Sequence, residues 1–286
     1  LGRTQAFKPL NMQAQASPAM ANTVEASDRL RYRKGVHRRP VVVWNCTPAC
    51  NLACSHCYAA CAGEQRVLTT DQARAVIDDL AAFGVPVILF SGGEPFLRPD
   101  IRTLAAHAKA RGIRVTFSTN GTLIDDAWAD WIRDLGVAYV GISIDGTEAI
   151  HDAFRRHPGA YRQSLAAIRR LRDRGVKVGL RVTMTRDNVA SLPAIFDLMR
   201  RERVPRICLY HLVYTGRGRE IAATDLDHAE ARAALNTILA ETRTCFETGF
   251  PVEVLTVDNA CDGIALYLRM KAENHPNADQ ALELLT

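Results

Sequence analysis

The chain has 286 residues and a formal net charge of +5; 48% of its residues are hydrophobic and 23% are charged. This composition is typical of a globular protein with a sizeable core, and no apolar run approaches the roughly 20 residues that a membrane helix needs. The arginines are scattered along predicted helices and are not interleaved with aromatic residues, so we expect neither a nucleic acid nor a membrane as partner.

Cysteine usage indicates metal or redox chemistry. The sequence has eight cysteines and no signal-peptide pattern, so we expect a cytoplasmic protein without disulfides. Five of the eight lie within 16 residues: Cys46, Cys50, Cys54, Cys57 and Cys61. Three of these, Cys50, Cys54 and Cys57, stand at i, i+4 and i+7, a spacing that can wrap three thiolates around one corner of an iron–sulfur cluster. The spacing alone leaves open a zinc site without its fourth ligand, or three unrelated buried cysteines.

The predicted elements alternate between strand and helix. Residues 1–39 are polar, lack a steady periodicity and are predicted to form an N-terminal arm. Strands are predicted at 41–45, 85–90, 114–118, 139–144, 177–183 and 206–212, and residues 251–257 are extended. Helices are predicted at 70–83, 99–111, 125–135, 161–174, 192–201 and 227–248. Apolar strands joined by helices predict an α/β fold, a partial (β/α)6-type TIM-like barrel of parallel strands with outer helices.

We place the core barrel at residues 40–225 and a C-terminal helix and extension at 226–286. Polar motifs follow the predicted strands directly, where barrels of this type carry their chemistry. Gly92 and Gly93 permit a close backbone approach to a ligand, and Glu94 can accept from an ammonium group or a ribose. A tight turn or a helix cap is the alternative interpretation of each motif.

Two further strand ends carry candidate ligand groups. Ser143 and Asp145 are two residues apart on a strand, so they share a face and can hold a ribose. Arg181 is predicted to face the barrel interior, where a buried unpaired cation is costly. It therefore needs an anionic partner, either a carboxylate of the protein or one of a ligand.

Together, the motifs CNLACSHCY, SGGEP, STNG and SIDG within residues 40–215 resemble those of the radical S-adenosylmethionine superfamily. The resemblance implies that Cys50, Cys54 and Cys57 ligate a [4Fe–4S] cluster whose open iron binds S-adenosylmethionine. It implies cofactor contacts for eight more residues: Tyr58, Gly92, Gly93, Glu94, Asn120, Ser143, Asp145 and Arg181. Reduction by a donor such as flavodoxin or ferredoxin would then give a 5′-deoxyadenosyl radical, which abstracts hydrogen from the substrate.

Residues 38–45, 177–181, 210–219 and 253–259 resemble the tetrapyrrole-processing branch of that superfamily, which contains the 12,18-didecarboxysiroheme deacetylase and a heme d1 biosynthesis enzyme. The resemblance implies an enzyme that removes acetate side chains from a siroheme-derived tetrapyrrole in heme or heme d1 biosynthesis, and we expect it to be a monomer. The candidate substrate residues are His211, Tyr214, Arg217 and Arg219, of which the two arginines suit propionate groups. Ordinary packing at the barrel end is the alternative for each.

The sequence also departs from that branch. Its members usually carry a further C-terminal domain with a second cluster, so we expect either a truncated record or no second cluster. Ala260 stands where similar proteins have histidine. Cys46 and Cys61 flank the triad, and either packing or a spare ligand role explains them.

Two other functions remain as alternatives. A radical S-adenosylmethionine maturase acting on a ribosomal peptide is disfavoured because residues 1–39 are too short for a winged-helix peptide-binding module. A non-catalytic zinc- or cluster-binding module gives no purpose to the motifs at successive strand ends.

Overall fold

The structure is a computed structural model that describes residues 5–7, 39–59 and 66–285. Most of the predicted N-terminal arm lies outside these residues, and so does Cys61. Within the described ranges, no helix combines the length and the apolar character that crossing a membrane requires.

A single eight-stranded sheet forms the centre of the described chain. Its strands are β1 Gln5–Phe7, β2 Val42–Thr47, β3 Val87–Gly92, β4 Arg114–Thr119, β5 Tyr139–Ser143, β6 Val178–Thr183, β7 Arg206–Tyr210 and β8 Glu253–Val257. Their order is β1-β8-β7-β6-β5-β4-β3-β2, so strands β2 to β8 lie side by side in sequence order. These seven are parallel, and β1 pairs antiparallel with β8.

Helices connect successive parallel strands, and two more follow the last strand. They are α1 Thr70–Ala82, α2 Ile101–Ala110, α3 Asp126–Leu135, α4 Glu148–Arg155, α5 Ala160–Asp173, α6 Leu192–Glu202, α7 His228–Glu247, α8 Cys261–Ala272 and α9 Ala278–Leu285. Local signals set their ends. Thr69 caps α1 in a reciprocal capping box with Gln72, and the left-handed Gly136 ends α3.

The core lies between the strands and the helices. Ile88, Phe90, Phe117 and Ile142 are completely buried, and burial of one such side chain stabilises the fold by about 1.5–3 kcal/mol. This explains why the strands are almost continuously apolar in sequence. The sheet is open, since β2 and β1 form its two edges, and Val43 on β2 is 58% exposed.

The architecture confirms the predicted α/β fold with its parallel strands and outer helices. The segment 251–257, predicted only as extended, contains a seventh parallel strand that pairs with β7 from Arg206 opposite Glu253 to Tyr210 opposite Val257. The extension predicted from residue 226 therefore continues the same sheet. The sequence patterns do not predict α4, because two of the buried residues on its inner face, His151 and Arg155, are polar.

Candidate functional site

The Cys loop (residues 50–57) follows β2 and reaches the carboxyl edge of the sheet. Cys50 is exposed, Cys57 is partly buried and Cys54 is buried, and all three are free thiols. The loop is anchored from the segment after β7. Arg217 donates from Nε to the carbonyl of Cys54 at 2.7 Å and from its backbone N–H to the carbonyl of Cys57 at 3.0 Å.

The glycine turn (residues 92–95) follows β3 and packs directly against the start of the Cys loop. The backbone N–H of Gly93 donates to the carbonyl of Thr47 at 2.7 Å, and that of Glu94 donates to the carbonyl of Ala49 at 2.8 Å. A side chain on Gly92 or Gly93 would collide with backbone oxygens of residues 47–49. Glycine is therefore required here by the protein backbone itself, and the two motifs form one unit.

Glu94 ties the glycine turn to the end of β4. It is completely buried, and its Oε1 accepts from the hydroxyl of Thr119 at 2.7 Å and from the N–H of Phe96 at 3.2 Å. Its Oε2 accepts from the N–H of Asn120 at 2.9 Å. A carboxylate has about four acceptor positions, so one on Oε2 remains. Burial raises the pKa of Glu94 to about 7, although the three donors act to lower it.

Asn120 links the segment after β4 to the Cys loop. Its side-chain amide donates to Oδ1 of Asn51 at 2.9 Å, while its own Oδ1 accepts from the N–H and the hydroxyl of Thr122. Asn51 also donates to the Thr122 hydroxyl at 2.8 Å. The polar atoms of Asn120 are thus largely engaged by neighbouring residues, and the side chain fastens two loops to each other.

Ser143 and Arg181 lie opposite each other in the register of β5 and β6. Both are partly buried, and the guanidinium of Arg181 lies 4.8 Å from the ring centroid of Tyr210. Over the described residues, no carboxylate forms an ion pair with Arg181. Tyr58 is 45% exposed, and its hydroxyl donates to Oδ1 of Asn45 at 3.1 Å. The geometry leaves Ser143 and Arg181 as the pair suited to a polar ligand.

Asp145, predicted as a ribose contact, lies in a buried ion pair with Arg155. The residue is completely buried, its Oδ2 accepts from Nε of Arg155 at 2.6 Å, and Nη2 of Arg155 lies 2.5 Å from the same oxygen. Its Oδ1 accepts from the N–H of Thr183 at 3.0 Å. Both oxygens therefore accept from the protein, with one acceptor position left on Oδ1, and Asp145 serves to hold Arg155.

The four predicted substrate residues occupy different surroundings. His211 is partly buried, with Nε2 3.0 Å from Oδ2 of Asp262. Tyr214 is 52% exposed and its hydroxyl donates to Asp225. Arg219 is exposed. Arg217 is turned toward the Cys loop, so its position favours anchoring of that loop over the predicted contact with a propionate.

The other cysteines are placed as packing residues or lie apart from the triad. Cys46 is 3% exposed within the core, and burial raises the pKa of its thiol to about 12, which favours the packing interpretation. Cys208 and Cys245 are also buried, and Cys261 is exposed at the start of α8.

Sequence reasoning missed the roles of Arg155, Asn51 and Asp262, and it identified Thr119 as a polar group after a strand without its partner Glu94. Each is a polar residue whose importance depends on a partner far away in the chain, such as Cys54 for Arg155 or Glu94 for Thr119. The one local signal for Arg155 was its spacing from His151 and Phe154, which places all three on the buried face of α4.

Comparison with known proteins places this site in a known context. A family model described as the Radical SAM superfamily matches residues 44–199. The chain is 47% identical over 284 residues to the Fe-coproporphyrin III synthase of Methanosarcina barkeri (strain Fusaro / DSM 804), a match covering 94% of this chain and 71% of that protein. It is 43% identical over 249 residues to the pre-heme d1 synthase of Dinoroseobacter shibae, covering 85% of this chain and 61% of that protein.

A solved structure of the same architecture is native anSMEcpe with bound AdoMet (S-adenosylmethionine). It superposes with a TM-score of 0.64 at 17% identity, over 75% of this chain and 63% of that one. At this identity the likeness shows the fold alone, and it confirms the predicted partial barrel.

Proposed function

The chain belongs to the radical SAM superfamily, whose cofactors are a [4Fe–4S] cluster and AdoMet, and from this premise we propose that Cys50, Cys54 and Cys57 hold the cluster. One observation carries the proposal. The Cys loop and the glycine turn are joined by the backbone hydrogen bonds of Gly93 and Glu94, so two cofactor motifs distant in sequence form a single surface.

The residues of the Cys loop fit such a cluster. Three free thiols are the ligand type that iron–sulfur clusters take. Nδ1 of His56, between two of these cysteines, is buried and has no hydrogen-bond partner among the described residues. Among the described residues, no three Cys, His, Asp or Glu side chains lie close enough together to bind a single metal ion. Thiolates of a cube-shaped cluster bind different iron atoms, so they need not converge on one point.

When bound, the cluster and AdoMet supply radical chemistry that removes a hydrogen atom from the substrate. In the proposal the chain positions AdoMet through residues at the ends of β3 to β6. The remaining acceptor position of Glu94 suits the amino group, and the Ser143 hydroxyl suits the ribose. Arg181, which has no carboxylate partner in the described chain, suits the AdoMet carboxylate. Tyr58 and Asn120 complete this wall by holding the neighbouring loops.

For the substrate, we infer a siroheme-derived iron tetrapyrrole from which acetate side chains are removed. Support comes from the names of two relatives, which refer to iron coproporphyrin and to pre-heme d1. Support also comes from His211. Asp262 fixes the imidazole ring of His211 through Nε2. This leaves Nδ1 without a hydrogen bond in the described chain and therefore available to a ligand. Exposed Arg219 offers a cation to a propionate, and Tyr214 lies on the same loop.

The remaining features of the proposal are the electron donor, the compartment and the oligomeric state. A low-potential one-electron donor such as flavodoxin or ferredoxin would supply the electron. A reducing cytoplasm suits the free thiols of the described chain. We propose that a monomer carries out the reaction.

The experiment is an anaerobic reaction of the iron- and sulfide-reconstituted protein with dithionite, AdoMet and 12,18-didecarboxysiroheme. Mass spectrometry follows the tetrapyrrole, and chromatography follows 5′-deoxyadenosine. We expect loss of two acetate groups per macrocycle, and no loss when AdoMet is omitted. Formation of 5′-deoxyadenosine with an unchanged tetrapyrrole would contradict the substrate and would favour a peptide or a different macrocycle.

A further inference from the structure

A buried ion pair lies directly beneath the Cys loop. Asp145, just after β5, is completely buried, and Arg155, at the end of α4, is only 7% exposed. Nε of the guanidinium donates to one carboxylate oxygen at 2.6 Å, and Nη2 lies 2.5 Å from the same oxygen. The pair is fixed further, because the N–H of Thr183 donates to the other carboxylate oxygen at 3.0 Å.

The third nitrogen of Arg155 points to a cysteine sulfur. Nη1 lies 3.6 Å from Sγ of Cys54, within the range of a hydrogen bond to the large sulfur atom. Because Asp145 holds the other two nitrogens, the plane of the guanidinium is fixed and Nη1 cannot turn away. Arg155 thus presents a fixed, desolvated N–H donor and a positive charge to Cys54.

The end of α4 is docked on the Cys loop by several other contacts. The N–H of Ser55 donates to the carbonyl of Phe154 at 2.9 Å, and the ring of His56 stacks on that of Phe154 at 4.4 Å. Arg156 donates from Nε to the hydroxyl of Ser55 at 3.1 Å. These contacts already hold the loop in place without Arg155.

A buried ion pair yields little net stability, since the loss of hydration offsets the attraction between its charges. Stability therefore does not explain why the ion pair lies against a cysteine sulfur, and the chemistry of that sulfur explains it better. Hydrogen bonds to the sulfurs and nearby positive charge are among the factors that set the reduction potential of an iron–sulfur cluster. Both favour the reduced cluster, which carries one more negative charge.

We propose that Arg155, positioned by Asp145, raises the reduction potential of the cluster through its hydrogen bond to Cys54. The inference rests on the proposed assignment of the cluster to the Cys loop and is independent of the substrate. It identifies Arg155 as a positioning and tuning residue and gives Asp145 a role other than a ribose contact.

The test is a redox titration of the reconstituted protein, followed by electron paramagnetic resonance of the reduced cluster. In R155Q we expect the ratio of reduced to oxidised cluster at a fixed potential to fall at least tenfold, which is a midpoint lower by about 59 mV. R156Q is the matched control. It removes the same charge from the next residue, which is exposed and contacts Ser55 rather than a cysteine sulfur, so we expect a change of no more than about twofold.

A second variant keeps the inference testable if R155Q does not fold. Lysine retains the charge but lacks the planar fork, so R155K cannot bind Asp145 and Cys54 together, and its potential also falls. A midpoint potential of R155Q that equals that of wild type would overturn the inference, and R155K takes this place if R155Q does not fold. A shift in R156Q as large as that in R155Q would also overturn it. Absence of any cluster in the wild-type protein would instead refute the cluster assignment.

Discussion

At the residue scale, several polar groups of the site are satisfied by the protein itself. Asp145 uses both carboxylate oxygens on Arg155 and Thr183, and Asn120 uses its amide on Asn51 and Thr122. Sequence reasoning identified these residues from their positions after predicted strands. It could not identify their partners, because a hydrogen bond between residues far apart in the chain leaves no local pattern.

Glu94 leads to a prediction about pH. Its pKa is raised from 4.5 to about 7 by burial, so the folded protein retains the proton at pH values where the unfolded chain has lost it. The stabilisation from this proton is fully present below pH 4.5 and is lost as the pH rises to 7. We expect Glu94 to lower the free energy of unfolding by about 2–3 kcal/mol between pH 5 and pH 8.

The measurement compares wild type with E94Q by chemical denaturation, under anaerobic reducing conditions, at both pH values. The variant has no titrating group at this position, so the difference between the two proteins isolates Glu94 from the other buried groups. E94Q should be less stable overall, because the glutamine N–H₂ faces the N–H of Asn120. A stability difference that stays constant from pH 5 to pH 8 would disprove the raised pKa.

At the element scale, the contact between the glycine turn and the Cys loop determines the geometry of the site. We expect G93A to push the backbone of Pro48 and Ala49 away and to reduce the iron bound per chain at least severalfold, while costing about 1–3 kcal/mol of stability. The measurements are iron and sulfide content after reconstitution and the free energy of unfolding.

The matched control for that substitution is G249A. Gly249 has a φ of +74°, no atom of the described residues lies within 4 Å of the position a Cβ would take, and it lies in the turn after α7. Alanine there costs about 1–2 kcal/mol through backbone strain alone, and iron binding should remain as in wild type. Equal iron content in G93A and wild type would show that the turn does not shape the Cys loop.

The strands and most of the helices could be predicted because their signals are local. Apolar runs mark β3 to β7, and cap residues such as Thr69 mark helix starts. The helical spacing of apolar residues is not visible in α4, because two of its buried residues, His151 and Arg155, are polar. Their burial is made possible by hydrogen bonds with Asp145. The pairing of β8 with β7 could not be predicted either, because the sequence of an extended segment does not specify which strand it pairs with.

At the scale of the whole molecule, the parallel sheet brings the ends of β2 to β7 to one edge. Motifs separated by more than 150 residues therefore meet, as shown by the contact of Arg217 with the carbonyl of Cys54. The fold explains why each motif follows a strand. It does not by itself select the substrate.

The most direct test of the account is the yield of 5′-deoxyadenosine from AdoMet and dithionite, together with iron content, in three reconstituted proteins. Wild type and C245S, which alters a buried cysteine on α7, should bind iron and form 5′-deoxyadenosine. C54S should lose the product entirely, because a serine hydroxyl does not replace a thiolate as cluster ligand. Undiminished 5′-deoxyadenosine from C54S, or none from wild type loaded with iron, would contradict the assignment of this loop as the site of AdoMet cleavage.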